Sequence, residues 1–155
     1  MSDHHSKKMK KKLFLILFTV SFFGFLNAQK AEIYSKEGKA IKGFDPVGFF
    51  VDQKAINGAD SLTFSWKNAN WFFSTQANLD AFKANPEKYA PQFGGYCAYG
   101  TADGHKAPTE TDTWTIVNDK LYFNYNQKVK GYWMQNQLSL IEKANVNWPI
   151  IKDKD

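Results

Sequence analysis

The sequence contains no arginine, and all 20 of its basic residues are lysines. Recognition of phosphates and base edges relies on the bidentate guanidinium fork, so this absence disfavours a nucleic-acid partner. With Cys97 as its single cysteine, the chain cannot be a scaffold held together by internal disulfides. It is instead 43% hydrophobic and 17% aromatic, which is typical of a globular domain with an aromatic core.

Several common catalytic motifs are also missing. The chain has no GxxxxGK loop, no GxGxxG fingerprint and no HExxH pair, which disfavours nucleotide-binding and zinc-protease chemistry. No serine stands in a Gly-x-Ser-x-Gly context, so a hydrolase nucleophile is not indicated either.

The formal charge of +5 is concentrated near the N-terminus. A cluster of lysines at residues 7–12 precedes an uncharged apolar run, Leu13 to Leu26, and the small residue Ala28 follows. The run is shorter than the roughly 20 residues that span a bilayer, so the pattern predicts a signal peptide over residues 1–28. An uncleaved N-terminal anchor is the alternative. Cleavage would give an exported protein, periplasmic or secreted, with a net charge near +1 and no stable membrane anchor.

The rest of the chain is predicted to be one small α+β domain with two β-hairpins and two main helices. Alternating apolar and polar residues predict the strands, and asparagines mark the turn of each hairpin. The predicted hairpins cover residues 62–73 and 113–125. Ser74 and Thr75 are candidate N-caps of a helix that continues to Asn85, and a second helix is predicted over residues 127–144. The boundaries are an N-terminal arm (29–43), the domain (44–149) and a charged tail (150–155).

Residue composition predicts the local conformation of two further segments. Residues 44–50, FDPVGFF, are predicted to turn at Asp45-Pro46 and enter an apolar strand. Residues 91–104 contain four glycines and are predicted to be loop. The large aromatic residues of the strands and the last helix are expected in the core: Trp66, Trp71, Trp114, Tyr122 and Trp133.

The segment GGYCAYG is the most unusual feature of the chain. Gly94 and Gly95 permit close approach to the backbone, and Cys97 stands between Tyr96 and Tyr99, which we expect to form the walls of a pocket. A lone cysteine in an exported protein is a reactive thiol, an intermolecular disulfide partner or a buried core residue. The sequence leaves these alternatives open.

His105 and Lys106 follow Cys97 closely in the chain. Both side chains could lower the pKa of a neighbouring thiol and so favour the thiolate. Cys97 and His105 could equally supply two ligands to a soft or borderline metal ion, although two residues do not complete a tetrahedral site. An exposed loop histidine is the structural alternative.

The stretch WFFSTQANLDAFKANPEKYAPQFGGYCAYG, residues 71–100, resembles the YHS-domain family and especially its exported (seleno)protein subgroup. The similarity extends to FDPVGFF upstream and to KLYFNYN and NVNWP downstream. The end of the helix, ANPEKY, is the most specific part.

The resemblance has two implications for the site. Family members often hold metal through two cysteine pairs, and here those positions are occupied by Asp45, Gly48, Ser74 and Asn78. A four-cysteine site is therefore excluded, although Asp45 and Asn78 could still offer oxygen ligands. Cys97 corresponds to a position where some members carry selenocysteine, which implies a thiol-redox or soft-metal role.

Three hypotheses follow. The leading one is a thiol-redox module in which Cys97 reacts, His105 or Lys106 assists, and a thiol-containing partner protein or a small thiol is the partner. The second is a metal-binding or trafficking module for copper or zinc, built from Cys97 with His105 or Asp45. The third is a non-catalytic interaction domain with a buried Cys97.

Overall fold

A computed structural model describes residues 31–154 of the chain. The predicted signal peptide at residues 1–28 lies outside the described residues. Within them, two sheets and six α-helices form a small α+β domain, which confirms the predicted fold class. No helix in this part of the chain is long and apolar enough to cross a membrane.

Both predicted hairpins are present, and each forms around a two-residue turn with positive φ at both positions. Lys67 and Asn68 (φ 50° and 58°) join the strands of the first, and Asn118 and Asp119 (φ 50° and 61°) join those of the second. Positive φ at both turn positions matches the right-handed twist of paired strands. The strands are β1 Ser35–Lys36, β2 Lys39–Ala40, β3 Ala59–Trp66, β4 Ala69–Phe73, β5 Glu110–Val117 and β6 Lys120–Asn124.

The first hairpin belongs to a four-stranded sheet of order β1-β2-β4-β3, in which β2 pairs with β4 in parallel. The second hairpin, β5 and β6, is a separate two-stranded sheet. Two short 3-10 segments lie at Ile41–Gly43 and Gln92–Gly95. The α-helices are α1 Gly48–Val51, α2 Gln76–Ala84, α3 Pro86–Tyr89, α4 Ala98–Ala102, α5 Gln127–Gln135 and α6 Gln137–Ile151.

The helical predictions are confirmed in part. Thr75 caps α2 by accepting a hydrogen bond from the Asn78 amide (3.1 Å), as its position before the helix predicts. The single helix predicted over residues 127–144 is wrong, because the chain breaks at Asn136 into α5 and α6. α6 then continues to Ile151, through residues predicted as tail, and Asn147 of this helix donates to the carbonyls that end α4 (3.0 and 3.1 Å).

Two local predictions are wrong for tertiary reasons. FDPVGFF does not enter a strand: the buried Asp45 carboxylate accepts from the amides of Val47 and Gly48 (2.9 and 3.2 Å), and helix α1 follows. Residues 91–104 are not all loop, because they contain the 3-10 segment at Gln92–Gly95 and helix α4.

Both faces of strand β6 are buried, each in a different hydrophobic cluster. Leu121 and Phe123 belong to a core cluster with β4 and α2, whereas Tyr122 belongs to a second cluster with Trp133. Of the aromatic residues expected in the core, Trp71, Tyr122 and Trp133 are buried, and Trp66 and Trp114 pack partly buried against it. β6 ends at the fully buried Asn124, beside Cys97.

Candidate functional site

Cys97 lies at the junction of β6 and α4. It pairs with Phe123 as an isolated parallel bridge, and it is the N-cap residue of α4. Contacts with β6 and α4 therefore fix the backbone of Cys97, and only 1% of the residue is exposed.

The Cys97 sulfur has two backbone amides and one side-chain oxygen as hydrogen-bond partners. Sγ accepts hydrogen bonds from the amides of Tyr125 (3.3 Å) and Gly100 (3.4 Å), and the thiol donates to Oδ1 of Asn124 (3.6 Å). Burial raises the pKa of the Cys97 thiol, and the amides of Gly100, Tyr125 and Tyr99 oppose that rise. Because burial prevails, the thiol is protonated at neutral pH.

Asn124 is a residue of the site that sequence reasoning missed. Its side-chain oxygen accepts from the Tyr99 amide (3.2 Å) as well as from the thiol, and its own backbone amide donates to Oγ1 of Thr113 (2.8 Å). Its Nδ2, also buried, has no hydrogen-bond partner among the described residues. An asparagine that ends a strand is also common at the surface, so the pattern contains no signal for this role.

A cavity of about 330 Å³ opens beside the thiol. Its lining consists of Cys97, Tyr99, Gly100, Asp103, His105, Ala107, Tyr125 and Val129. The apolar members form most of the wall, and the polar side chains of Asp103 and His105 are exposed. Cys97 is thus buried in the domain and also borders a cavity.

Of the two side chains predicted to assist Cys97, His105 lines this cavity and Lys106 does not. Gly100 separates it from the thiol: the Gly100 amide bonds to Sγ, and a β-carbon on Gly100 would stand 3.3 Å from His105 Nε2. Lys106 extends elsewhere, since its Nζ donates to the Lys152 carbonyl (2.9 Å) and lies 5.5 Å from the centre of the Tyr96 ring.

Tyr99 is the only predicted wall residue that lines the cavity. The Tyr96 hydroxyl donates to the carbonyl of Ala31 (2.7 Å), and its ring packs against Tyr34 at 5.5 Å. Gly94 accepts from the Tyr34 amide (2.8 Å). Gly94 and Tyr96 therefore contact the chain before β1, at residues 31–34, and do not line the cavity. The Gly95 carbonyl accepts from Thr109 Oγ1 (2.8 Å).

Asp45 belongs to a separate polar cluster. It is fully buried, and its Oδ2 accepts from the Ser74 amide (2.8 Å), the Ser74 hydroxyl (2.6 Å) and the Asn78 side chain (2.7 Å). Together with the two donors of α1, five hydrogen bonds converge on this carboxylate. The structure thus brings together the four positions that the resemblance pairs with the family's cysteines: Asp45, Gly48, Ser74 and Asn78.

This cluster does not fit the metal site that the resemblance implies. It contains one carboxylate and no thiol, and the carboxylate oxygens are already occupied by hydrogen-bond donors. Nor does Asp45 have a hydrogen bond to Cys97 or His105. Among residues 31–154, no group of three or more His, Cys, Asp or Glu side chains is placed to hold a metal ion. Of the three predicted ligands, Cys97 and His105 line the same cavity, with Gly100 between them, and Asp45 lies apart from both.

Comparison with known proteins locates one family in the chain. Residues 47–93 match the YHS domain, a range that contains Gly48, Ser74 and Asn78 and ends shortly before Cys97. Comparison with curated proteins and with solved structures gives no significant match. A YHS domain is therefore detected at residues 47–93, the segment that runs from the start of α1 to the 3-10 turn at Gln92–Gly95.

Proposed function

We propose that this protein is a thiol-redox module centred on Cys97. The observation that supports this is the position of the sulfur, which borders a cavity while two backbone amides donate to it. Amide donors on a sulfur stabilise its thiolate once the proton has left. The N-terminal pattern adds export to the proposal, since disulfides persist outside the cytosol.

The proposed reaction is exchange with the disulfide of a small thiol or of a partner protein. The Cys97 thiolate attacks one sulfur of that disulfide, a bond forms between the two sulfurs, and the original disulfide bond breaks. The released thiolate takes up the proton that Cys97 lost. Because the chain has no second cysteine, Cys97 remains in a mixed disulfide until another thiol molecule displaces it.

The direct test exposes the folded protein to a small uncharged disulfide, such as hydroxyethyl disulfide, and follows the mixed disulfide by intact mass. We expect one adduct on the wild type and none on Cys97→Ser. Val129→Phe fills the cavity and should slow the reaction several-fold. Val146→Phe, at an exposed position of α6 outside this cavity, is the matched control and should leave the rate unchanged.

The pH dependence of the same reaction has a defined sign. Burial raises the pKa of the Cys97 thiol, so the rate should increase with pH and reach its midpoint above the value of about 8.5 for a free cysteine. The reaction rate from pH 6 to pH 10 checks this. A thiol that reacts only after denaturation would exclude the proposed function.

Binding of a soft metal ion, copper(I) or zinc, is the second candidate function. The shared cavity of Cys97 and His105 favours it, and thiolate with imidazole is a ligand pair that suits both ions. The YHS domain is consistent with a metal-related role. Any such site would use Cys97 and His105 without Asp45.

Titration of copper(I) against a coloured chelator would test this second candidate. Cys97→Ser and His105→Gln should each weaken binding by at least the roughly tenfold that the loss of a supporting contact typically causes. Lys106→Gln serves as the control, since its ammonium group contacts Lys152 and Tyr96 instead. Equal affinity of the wild type and Cys97→Ser would exclude metal binding at this site.

A further inference from the structure

We propose that Cys97 is oxidised by an alkyl hydroperoxide to a sulfenic acid, and that Asn124 Nδ2 holds the added oxygen. This inference rests on the proposed thiol-redox function and names its substrate class. It depends on the buried side-chain amide beside the sulfur.

The orientation of the Asn124 amide follows from its contacts. Oδ1 must face the Tyr99 amide (3.2 Å), because exchanging the two amide atoms would place two donors against each other. The backbone of Asn124 is held by Thr113 Oγ1 (2.8 Å). The Nδ2 group is therefore fixed in place, with no partner among residues 31–154.

A buried donor without an acceptor is unfavourable and calls for an explanation, which an acceptor supplied in another state of the site would give. Nδ2 shares its carbon with the Oδ1 atom that lies 3.6 Å from Cys97 Sγ. An oxygen bonded to that sulfur would bring an acceptor next to the amide. The amides of Gly100 and Tyr125 would keep the sulfur in position.

The lining of the cavity indicates the kind of oxidant. Tyr99, Ala107 and Val129 contribute apolar wall, while the Asp103 carboxylate disfavours anionic molecules. A small uncharged molecule with an apolar group fits these walls best. An alkyl hydroperoxide has this chemistry and also contains the weak O–O bond that a thiolate attacks.

The Cys97 sulfur attacks the terminal oxygen of the hydroperoxide, an S–O bond forms and the O–O bond breaks. The sulfur is oxidised by two electrons, and the hydroperoxide is reduced to its alcohol, whose oxygen takes the proton from the thiol. A small thiol then displaces the sulfenic oxygen as water, which gives the mixed disulfide of the proposed function.

The first test uses the full chain labelled with ¹⁵N and treated with one equivalent of cumene hydroperoxide. We expect a mass gain of one oxygen atom that a thiol reverses, trapping by dimedone, and a shift of the Asn124 side-chain amide signals. The Asn78 amide is buried and already bonded to Asp45, so its signals should stay in place. An oxidised protein with unmoved Asn124 signals would overturn the inference.

Asn124→Asp supplies a second test at a pH where its carboxyl is ionised, because it then keeps an oxygen that accepts from Tyr99 and removes the Nδ2 donor. Loss of one hydrogen bond should shorten the lifetime of the sulfenic acid by about tenfold. An unchanged lifetime would contradict the role of Asn124.

A reaction confined to hydrogen peroxide would contradict the substrate class. If Cys97 reacts neither with the hydroperoxide nor with hydroxyethyl disulfide, the thiol-redox function itself is wrong. If it reacts with hydroxyethyl disulfide but not with the hydroperoxide, only the present inference is wrong.

Discussion

Replacing Asp45 with alanine is expected to lower the free energy of unfolding by about 3–5 kcal/mol. Five donors converge on this fully buried carboxylate, and alanine would leave them without their acceptor. They belong to three separate parts of the chain: the start of α1, the segment after β4 and the first turn of α2. The carboxylate therefore joins these elements, so its loss should destabilise all of them together.

Chemical denaturation of the wild type and two variants would measure this effect. Asp52→Ala is the matched control, because Asp52 is an exposed aspartate at the end of α1. We expect it to change stability by less than about 0.5 kcal/mol, as surface substitutions usually do. An Asp45→Ala variant as stable as the Asp52→Ala variant would show that the hydrogen bonds of this cluster do not stabilise the domain.

Replacing Gly94 with alanine should have the second largest effect, a loss of about 2–3 kcal/mol. Gly94 has φ +61°, and a β-carbon there would overlap the carbonyl oxygen of Glu32. The backbone around residue 32 must then move away. This would also weaken the hydrogen bond from the Tyr34 amide to the Gly94 carbonyl (2.8 Å).

Gly38→Ala separates the two contributions to this loss. Gly38 also has positive φ (+76°), but a β-carbon there meets nothing within 4 Å. It should therefore show the backbone cost alone, of order 1 kcal/mol. Thermal unfolding gives the comparison, and protease cleavage near residue 34 would report release of the segment in Gly94→Ala. Equal losses in both variants would contradict the steric explanation.

Local sequence signals predicted the elements whose stability is local. The two hairpin turns contain asparagine at positions with positive φ, and Thr75 caps α2 through its own side chain. In each case the residues that determine the geometry are neighbours in the chain. This is why the predicted strands and the start of α2 agree with the structure.

The short helices could not be predicted in the same way. α1 starts where it does because Asp45 is buried against Ser74 and Asn78, which are distant in the sequence. α4 has only five residues, and its first turn is capped by the sulfur of Cys97. Segments this short have too little intrinsic stability for a periodic pattern to reveal them.

For the site, composition and motif alone determined which residue is chemically exceptional: a single cysteine, in a glycine-rich segment, in a chain without arginine. The surroundings of Cys97 depend on tertiary contacts. The tertiary structure placed His105 in the cavity, directed Lys106 and Tyr96 elsewhere, isolated Asp45 in its own cluster and brought Asn124 to the sulfur. The physical reason is that burial and hydrogen bonding of a side chain depend on contacts between segments far apart in the sequence, which residue identity and spacing do not specify.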